Sequence, residues 1–253
     1  MKIEILGCNG GVGPGLRSTC LRIVSCLLVD TGTGACELSP QEMAALTDVF
    51  LTHAHLDHTV GLAFIADNRI GRAPRPLAVH AQAETLQVLH EHLFNWQVWP
   101  DFTALPDSDN PTLRFIPLPA APARCQGLEF IPFPSQHTIP TTGYAIRHSG
   151  GVFAFTGDTY GHPAMWQSLN ALERLDQLMI EVSYGDELAD VGTVARHLTP
   201  ARLAQQLKAL HHRPQLLLSH HKTGQETAVR QQCQAALGNW RYRHLHNGEC
   251  FEV

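Results

Sequence analysis

His53-Ala54-His55-Leu56-Asp57-His58 places three imidazoles and a carboxylate within six residues. A short apolar strand over Asp48–Leu51 leads into it. In a loop after that strand, His53 and His55 can turn toward one point while Asp57 and His58 turn toward another. Imidazole and carboxylate suit zinc, manganese or iron, and the lack of cysteine ligands argues against a closed structural zinc. The plain alternative is a histidine-rich surface loop, which does not account for the carboxylate in its midst.

Working outward, three more residues stand where strands end. His137 follows Phe133-Pro134-Ser135-Gln136, Asp158 follows Phe153-Ala154-Phe155-Thr156-Gly157, and His220 follows Leu216-Leu217-Leu218-Ser219. Each alone could be a polar residue capping a strand. Together with the histidine run they complete seven ligands for two divalent ions. His221 leaves the last position ambiguous, and His220 is favoured because it directly follows the strand and its serine.

The rest of the chain alternates strands and helices. Lys2–Leu6 reads as an edge-type strand, and a loop with Gly7, Gly10, Gly11, Gly13 and Gly15 follows. That loop matches neither G-x-G-x-x-G opening a helix nor a Walker motif, since Cys20–Val29 is β-like. A structural or site-wall role is favoured over direct phosphate contact. Ser39-Pro40-Gln41-Glu42 is a capping box that starts a short helix. Further strands are expected at Leu77–His80, Leu178–Val182 and Gln215–Ser219, with a hairpin pairing Tyr144–Arg147 and Val152–Thr156. Two strand-like pieces fall in the proline-rich stretch Arg114–Pro134. Helices are expected over Ala83–Leu93, from Thr199-Pro200 with Leu203, Leu207 and Leu210 on one face, and over about Glu226–Leu237. The pattern predicts one α/β domain of two similar halves, sheets inside and helices outside.

Composition excludes several functions. A formal charge of −5 gives no basic footprint for long nucleic acid, although a metal centre can still attract a small anion. The seven scattered cysteines contain no C-x-x-C pair, so reduced thiols in a cytoplasmic protein are expected. No apolar run reaches membrane length, and the start lacks a signal peptide.

The order H-x-H-x-D-H, then His137, Asp158 and His220, resembles the metallo-β-lactamase superfamily. Within it the chain is similar to the class II 3′,5′-cyclic-nucleotide phosphodiesterases. The segments that carry this likeness are Thr52–Leu62, His92–Asn95, Val98–Phe102, Glu181–Tyr184, His197–Pro200 and Ser219-His220, with Leu6–Gly11 and Asp30–Gly34. Thr59 and Val60 are less typical of the signature. The resemblance implies a four-layer αβ/βα sandwich, two mixed sheets flanked by helices, as a single hydrolase domain over residues 1–253. It implies His53, His55 and His137 on one metal, Asp57, His58 and His220 on the other, and Asp158 bridging. The short segment between His58 and His137 leaves no room for the long arm with which ribonuclease Z grips transfer RNA.

The implied substrate is a small anion, cyclic AMP or cyclic GMP. The ions are two divalent metals, zinc first, with manganese or iron as alternatives. A bridging water whose pKa falls toward about 7 attacks phosphorus and expels the ribose 3′-oxygen. His197, oriented by Glu181, is the expected proton donor, and Asp57 joins them as a catalytic residue. Phe94, Trp96 and Trp99 either belong to the core or wall the pocket and stack on a purine. Members of the family associate through surface arms, which raises a homodimer. The rival expectation is another hydrolase on the same scaffold: a broader phosphodiesterase, thioester hydrolase, lactonase or sulfatase.

Overall fold

The computed structural model describes residues 1–119 and 121–253; Ala120, inside the proline-rich stretch, lies outside the described residues. The first half contains β1 (Lys2–Gly7), β2 (Cys20–Ile23), β3 (Leu27–Val29), α1 (Pro40–Ala45), β4 (Asp48–Phe50), α2 (Leu56–Arg69), β5 (Leu77–Ala81), α3 (Ala83–His92) and β6 (Leu113–Pro117). The second half begins with β7 (Ala123–Cys125), β8 (Leu128–Gln136), β9 (Pro140–His148), β10 (Gly151–Phe155), α4 (Pro163–Asn170) and β11 (Gln177–Glu181). It continues through α5 (Ala189–Ala195), α6 (Pro200–Gln206), β12 (Gln215–Ser219), α7 (Glu226–Ala236), β13 (Tyr242–His244) and β14 (Cys250–Glu252).

These strands form two mixed seven-stranded sheets, ordered β14-β1-β2-β3-β4-β5-β6 and β13-β12-β11-β10-β9-β8-β7. In each, antiparallel pairings at the hairpin end give way to three parallel pairings. The two halves therefore repeat one plan. Strand residues alternate between two buried faces, which accounts for the near-continuous apolar runs. On β12, Leu217 points between the sheets, whereas Leu216 and Leu218 pack beneath the helices.

The inter-sheet core includes Ile5, Phe50, Phe130, Tyr144, Phe153 and Met179. Phe50 stacks on Phe130 from the opposite sheet, centroids 3.8 Å apart. The outer face of the first sheet is covered by apolar residues of α2 and α3 (Leu62, Ile65, Leu86, Leu89), that of the second by residues of α4, α6 and α7 (Met165, Leu203, Val229). The result is the expected four-layer αβ/βα sandwich. Among the described residues, no helix is long and apolar enough to cross a membrane.

Three local expectations change. β1 is not an edge strand: β14 pairs outside it, with Ile3 opposite Phe251. Its polar alternation reports one solvated face, and only the far end of the chain decides what borders it. The histidine run is not all loop, because α2 begins at Leu56 and carries Asp57 and His58 in its first turn. The leucine-faced helix begins on schedule, with Thr199 accepting from Arg202 N, but ends at Gln206 and tightens into a 3-10 turn over Leu207–Ala209. The Ser39–Glu42 capping box forms as read, each partner satisfying the other's backbone N–H.

Topology carries polar residues to one edge. β10, β11 and β12 run parallel, so Asp158, Glu181 and His220 emerge at adjacent carboxyl ends. β8 runs in the same direction, being antiparallel to β9 as β9 is to β10, and delivers His137 there too. β4 ends against this edge from the other sheet: Thr142 N donates to Thr52 O, and the Tyr144 hydroxyl to Leu51 O.

Candidate metal centre

His53 and His55 lie in the segment joining β4 to α2, and Asp57 and His58 follow in the helix's first turn. A carboxylate there is favoured by the positive end of the helix dipole. Asp158 follows Gly157, where a φ of +60° and the 3.0 Å that would separate a β-carbon from Thr52 Cβ both call for glycine. His220 itself has φ +61°, a conformation disfavoured in a side-chain-bearing residue and typical of positions held for function.

The seven side chains form two groups of donor atoms. In the first, His55 Nδ1 lies 3.0 Å from His53 Nε2 and 3.2 Å from His137 Nε2. Asp158 Oδ2 faces them at 3.9 Å from His53 and 3.8 Å from His137. In the second, Asp158 Oδ1 lies 3.3 Å from both His58 Nε2 and His220 Nε2, and Asp57 Oδ2 lies 3.3 Å from His220 Nε2. Metal bonds of about 2.1 Å at tetrahedral angles put donor atoms roughly 3.4 Å apart, so these spacings fit a divalent metal. Within each group all donors lie within 4.8 Å of one another. His58 Nε2 is buried without a hydrogen-bond partner, an orphan that a metal would satisfy.

A second layer of contacts fixes which nitrogen each ring presents. His58 Nδ1 donates to Asp30 at 2.7 Å. His53 Nδ1 contacts Thr52 Oγ1 at 2.9 Å, and that hydroxyl donates onward to Asp30 at 2.8 Å. His137 Nδ1 donates to the Arg196 carbonyl, and His220 Nδ1 meets Ser183 Oγ, which donates to Glu181 Oε2 at 2.6 Å. Four rings thus leave Nε2 free, with the outer support characteristic of metal-binding histidines.

Burial would depress His58, but the carboxylates of Asp158 and Asp30 outweigh it and hold the imidazole well above its usual range. Burial pushes His53 well below its usual value, with the His58 charge adding to the effect. Burial opposes ionisation of Asp158, yet the surrounding imidazoles hold it well below the carboxylate range. The carboxylates therefore favour positive charge on His58, and a divalent ion at Nε2 would take the place of that proton.

Glu181 and His197 pair at 2.8 Å through His197 Nδ1, both buried. Glu181 also accepts from Thr159 N and Leu198 N, so both its oxygens are committed. His220 and His221 diverge: His221 turns to Val182 O at 2.6 Å and to His244, and burial pushes its pKa down to about 4. Of the two, only His220 joins the donor groups.

Two of the three aromatics, Phe94 and Trp99, pack into or against the outer core. Phe94 is fully buried against Phe102 and Phe115, Trp99 donates to Ala63 O beside the outer core, and Trp96 is exposed. The glycine loop is a wall: Gly10 N donates to His221 O, and a β-carbon at Gly10 would sit 2.5 Å from His220 O. Spacing alone missed the supporting residues Asp30, Thr52 and Ser183. The adjacent Asp30-Thr31-Gly32 turn was a usable signal for the first of them.

Residues 26–221 match the family model described as the beta-lactamase superfamily domain. A probable 3′,5′-cyclic-nucleotide phosphodiesterase from Yersinia pestis is 30% identical over 66% of this chain and 51% of its own length. A 3′,5′-cyclic-nucleotide phosphodiesterase from Aliivibrio fischeri is 28% identical over 64% of this chain and 52% of its own. The chain thus spans about half the length of these curated relatives. In three dimensions it is similar to unliganded yeast PDE1, with a TM-score of 0.83 at 19% identity, covering 100% of this chain and 99% of that one. The matched span includes β4, the histidine run, Asp158 and His220, and on that evidence the chain belongs to the beta-lactamase superfamily.

Proposed function

We propose that this protein is a metal-dependent phosphodiesterase that opens 3′,5′-cyclic nucleotides, cyclic AMP or cyclic GMP, to 5′-monophosphates. The observation that carries the reading is Asp158, whose two oxygens face two separate groups of donors. In this reading His53, His55 and His137 hold one divalent ion, Asp57, His58 and His220 a second, and Asp158 serves both. Zinc suits the nitrogen-rich set, with manganese or iron as alternatives. When bound, such ions supply an activated water and neutralise negative charge developing at phosphorus.

The chain's own residues do the rest. Asp30 and Ser183 keep the imidazoles in the ligating tautomer. His197 holds a proton for the departing ribose oxygen at Nε2, because Nδ1 is engaged by Glu181. Burial opposes the charged ring, but Glu181 outweighs it and raises the His197 pKa. The names of the curated relatives supply the substrate class. All seven cysteines are free, which supports placement in the reducing cytoplasm.

The test is product analysis after incubating metal-loaded protein with cyclic AMP and cyclic GMP, alongside bis(p-nitrophenyl) phosphate and a thioester. A 5′-monophosphate product is expected; turnover of the thioester alone would refute the reading. His197→Ala is expected to lower kcat about 10²- to 10⁴-fold with metal content intact. Normal turnover in that variant removes His197 from the chemistry.

A further inference from the structure

We propose that Lys222 is the phosphate-binding residue of this centre, its ammonium pairing with a non-bridging oxygen of a phosphate or phosphodiester held beside Asp57. The identity of the substrate rests on the phosphodiesterase reading; the binding of phosphate itself does not.

Lys222 Nζ lies 4.0 Å from Asp57 Oδ2, at the second donor group without belonging to it, since an ammonium has no lone pair for a metal. Among the described residues, no other lysine or arginine lies within ion-pair distance of a candidate ligand. The two side chains are 22% and 29% exposed, whereas those of His58, His220 and Asp158 are almost wholly buried. This corner is therefore where a ligand from solvent meets the cluster.

The lysine stem is held in place. Lys222 N donates to Ser183 O at 3.0 Å, tying the backbone to the strand end that also orients His220. A β-carbon at Gly10 would come within 3.0 Å of Lys222 Cδ, so glycine there leaves the stem room to lie along the N-terminal loop. The loop thereby gains a role through the residue it supports.

Charge gives the reason for an anion. Once a divalent ion shares the Asp57 carboxylate, the ammonium beside it lacks a full counter-charge. A phosphodiester has two non-bridging oxygens, so one can face the ions while the other meets Lys222. A neutral ester or thioester offers no second charged oxygen. Lys222 therefore selects phosphate substrates on this scaffold.

The native chain, Lys222→Met and Lys222→Arg are each loaded with zinc and their metal content measured. Inorganic phosphate binding is followed by calorimetry, and kcat and KM are measured with bis(p-nitrophenyl) phosphate. Lys222→Met is expected to keep its metal, bind phosphate about tenfold more weakly and raise KM by a similar factor. Lys222→Arg, which keeps the charge, is expected to recover most of both. Unchanged phosphate affinity in Lys222→Met overturns the assignment, as does failure of the native chain to bind phosphate. Loss of metal in Lys222→Met also overturns it, because the lysine's role is then to position Asp57. A native chain that binds phosphate but hydrolyses no phosphodiester sinks the phosphodiesterase reading, and the phosphate titration still decides Lys222.

Discussion

Asp30 lies outside the donor groups yet orients two of their members. Its carboxylate takes His58 Nδ1 directly and His53 through the Thr52 hydroxyl, with Thr52 N as a further donor. Burial raises its pKa against the pull of the His58 charge, so its ionised form depends on that imidazole. Asp30→Asn keeps the shape and removes the charge. We expect it to weaken zinc affinity by about 10- to 100-fold, read by competition with a chromophoric chelator. Affinity equal to the native chain would show that the donor groups hold their geometry without it. The candidate donors themselves were legible as residue types at strand ends. Asp30 was legible only as part of a family-like turn, because an aspartate in a turn has many ordinary roles and its partners lie 22 and 28 positions away.

The elements that carry the centre depend on polar joints of their own. Arg69, the last residue of α2, is buried and reaches across to α1. Its guanidinium donates to the carbonyls of Met43, Ala44 and Leu46 at the end of α1, and to Arg75 O. Burial lowers its pKa to about 10, and among the described residues no carboxylate pairs with it. Arg69→Met strands those carbonyls, and a loss of roughly 2–4 kcal/mol in stability is expected from denaturant unfolding. A loss under about 0.5 kcal/mol would mean that water replaces the arginine. At the other end of α1, hydrogen bonds from Arg22 and then Ser39 hold Glu42 down to about 2. A depressed carboxylate stabilises the fold above its ordinary 4.5, and that contribution is lost as pH falls toward about 2. Glu42→Gln keeps the capping box but loses the charge, so it should lower stability most at pH 6, by less than about 1 kcal/mol for so exposed a group, and least near pH 2. A pH-independent difference would place the effect in packing. The capping box was plain in the sequence because it is local, whereas Arg69 lies at least 23 residues along the chain from the carbonyls it serves in α1.

Across the whole molecule the centre is a joint between the two sheets. His53, His55, Asp57 and His58 come from the first half, and His137, Asp158 and His220 from the second. A cation held by both sets would tie the halves together, beside the Thr142–Thr52 hydrogen bond and the Phe50–Phe130 stack. Metal that binds only the folded state adds about 2.7 kcal/mol when present at a hundredfold its Kd. Chelation is thus expected to lower the Tm of purified, metal-loaded protein, with zinc restoring it. A Tm indifferent to chelator and zinc would count against a resident metal.

By itself the sequence determined the residue types of the candidate site and most of the layering. Short-range patterns set the strand and helix types, and imidazoles and carboxylates at strand ends narrowed the site to a metal centre. The tertiary structure decided what depends on distant neighbours. β14 makes β1 an interior strand, His220 faces the donors while His221 turns to Val182, and Phe94 and Trp99 pack into the outer core. It also sets Lys222 against Asp57, 165 positions earlier in the chain. The physical reason is the same in each case. Periodicity and residue type act over a few positions, but the partner that satisfies a backbone edge, a ring nitrogen or a charge is chosen by chain closure across the whole fold.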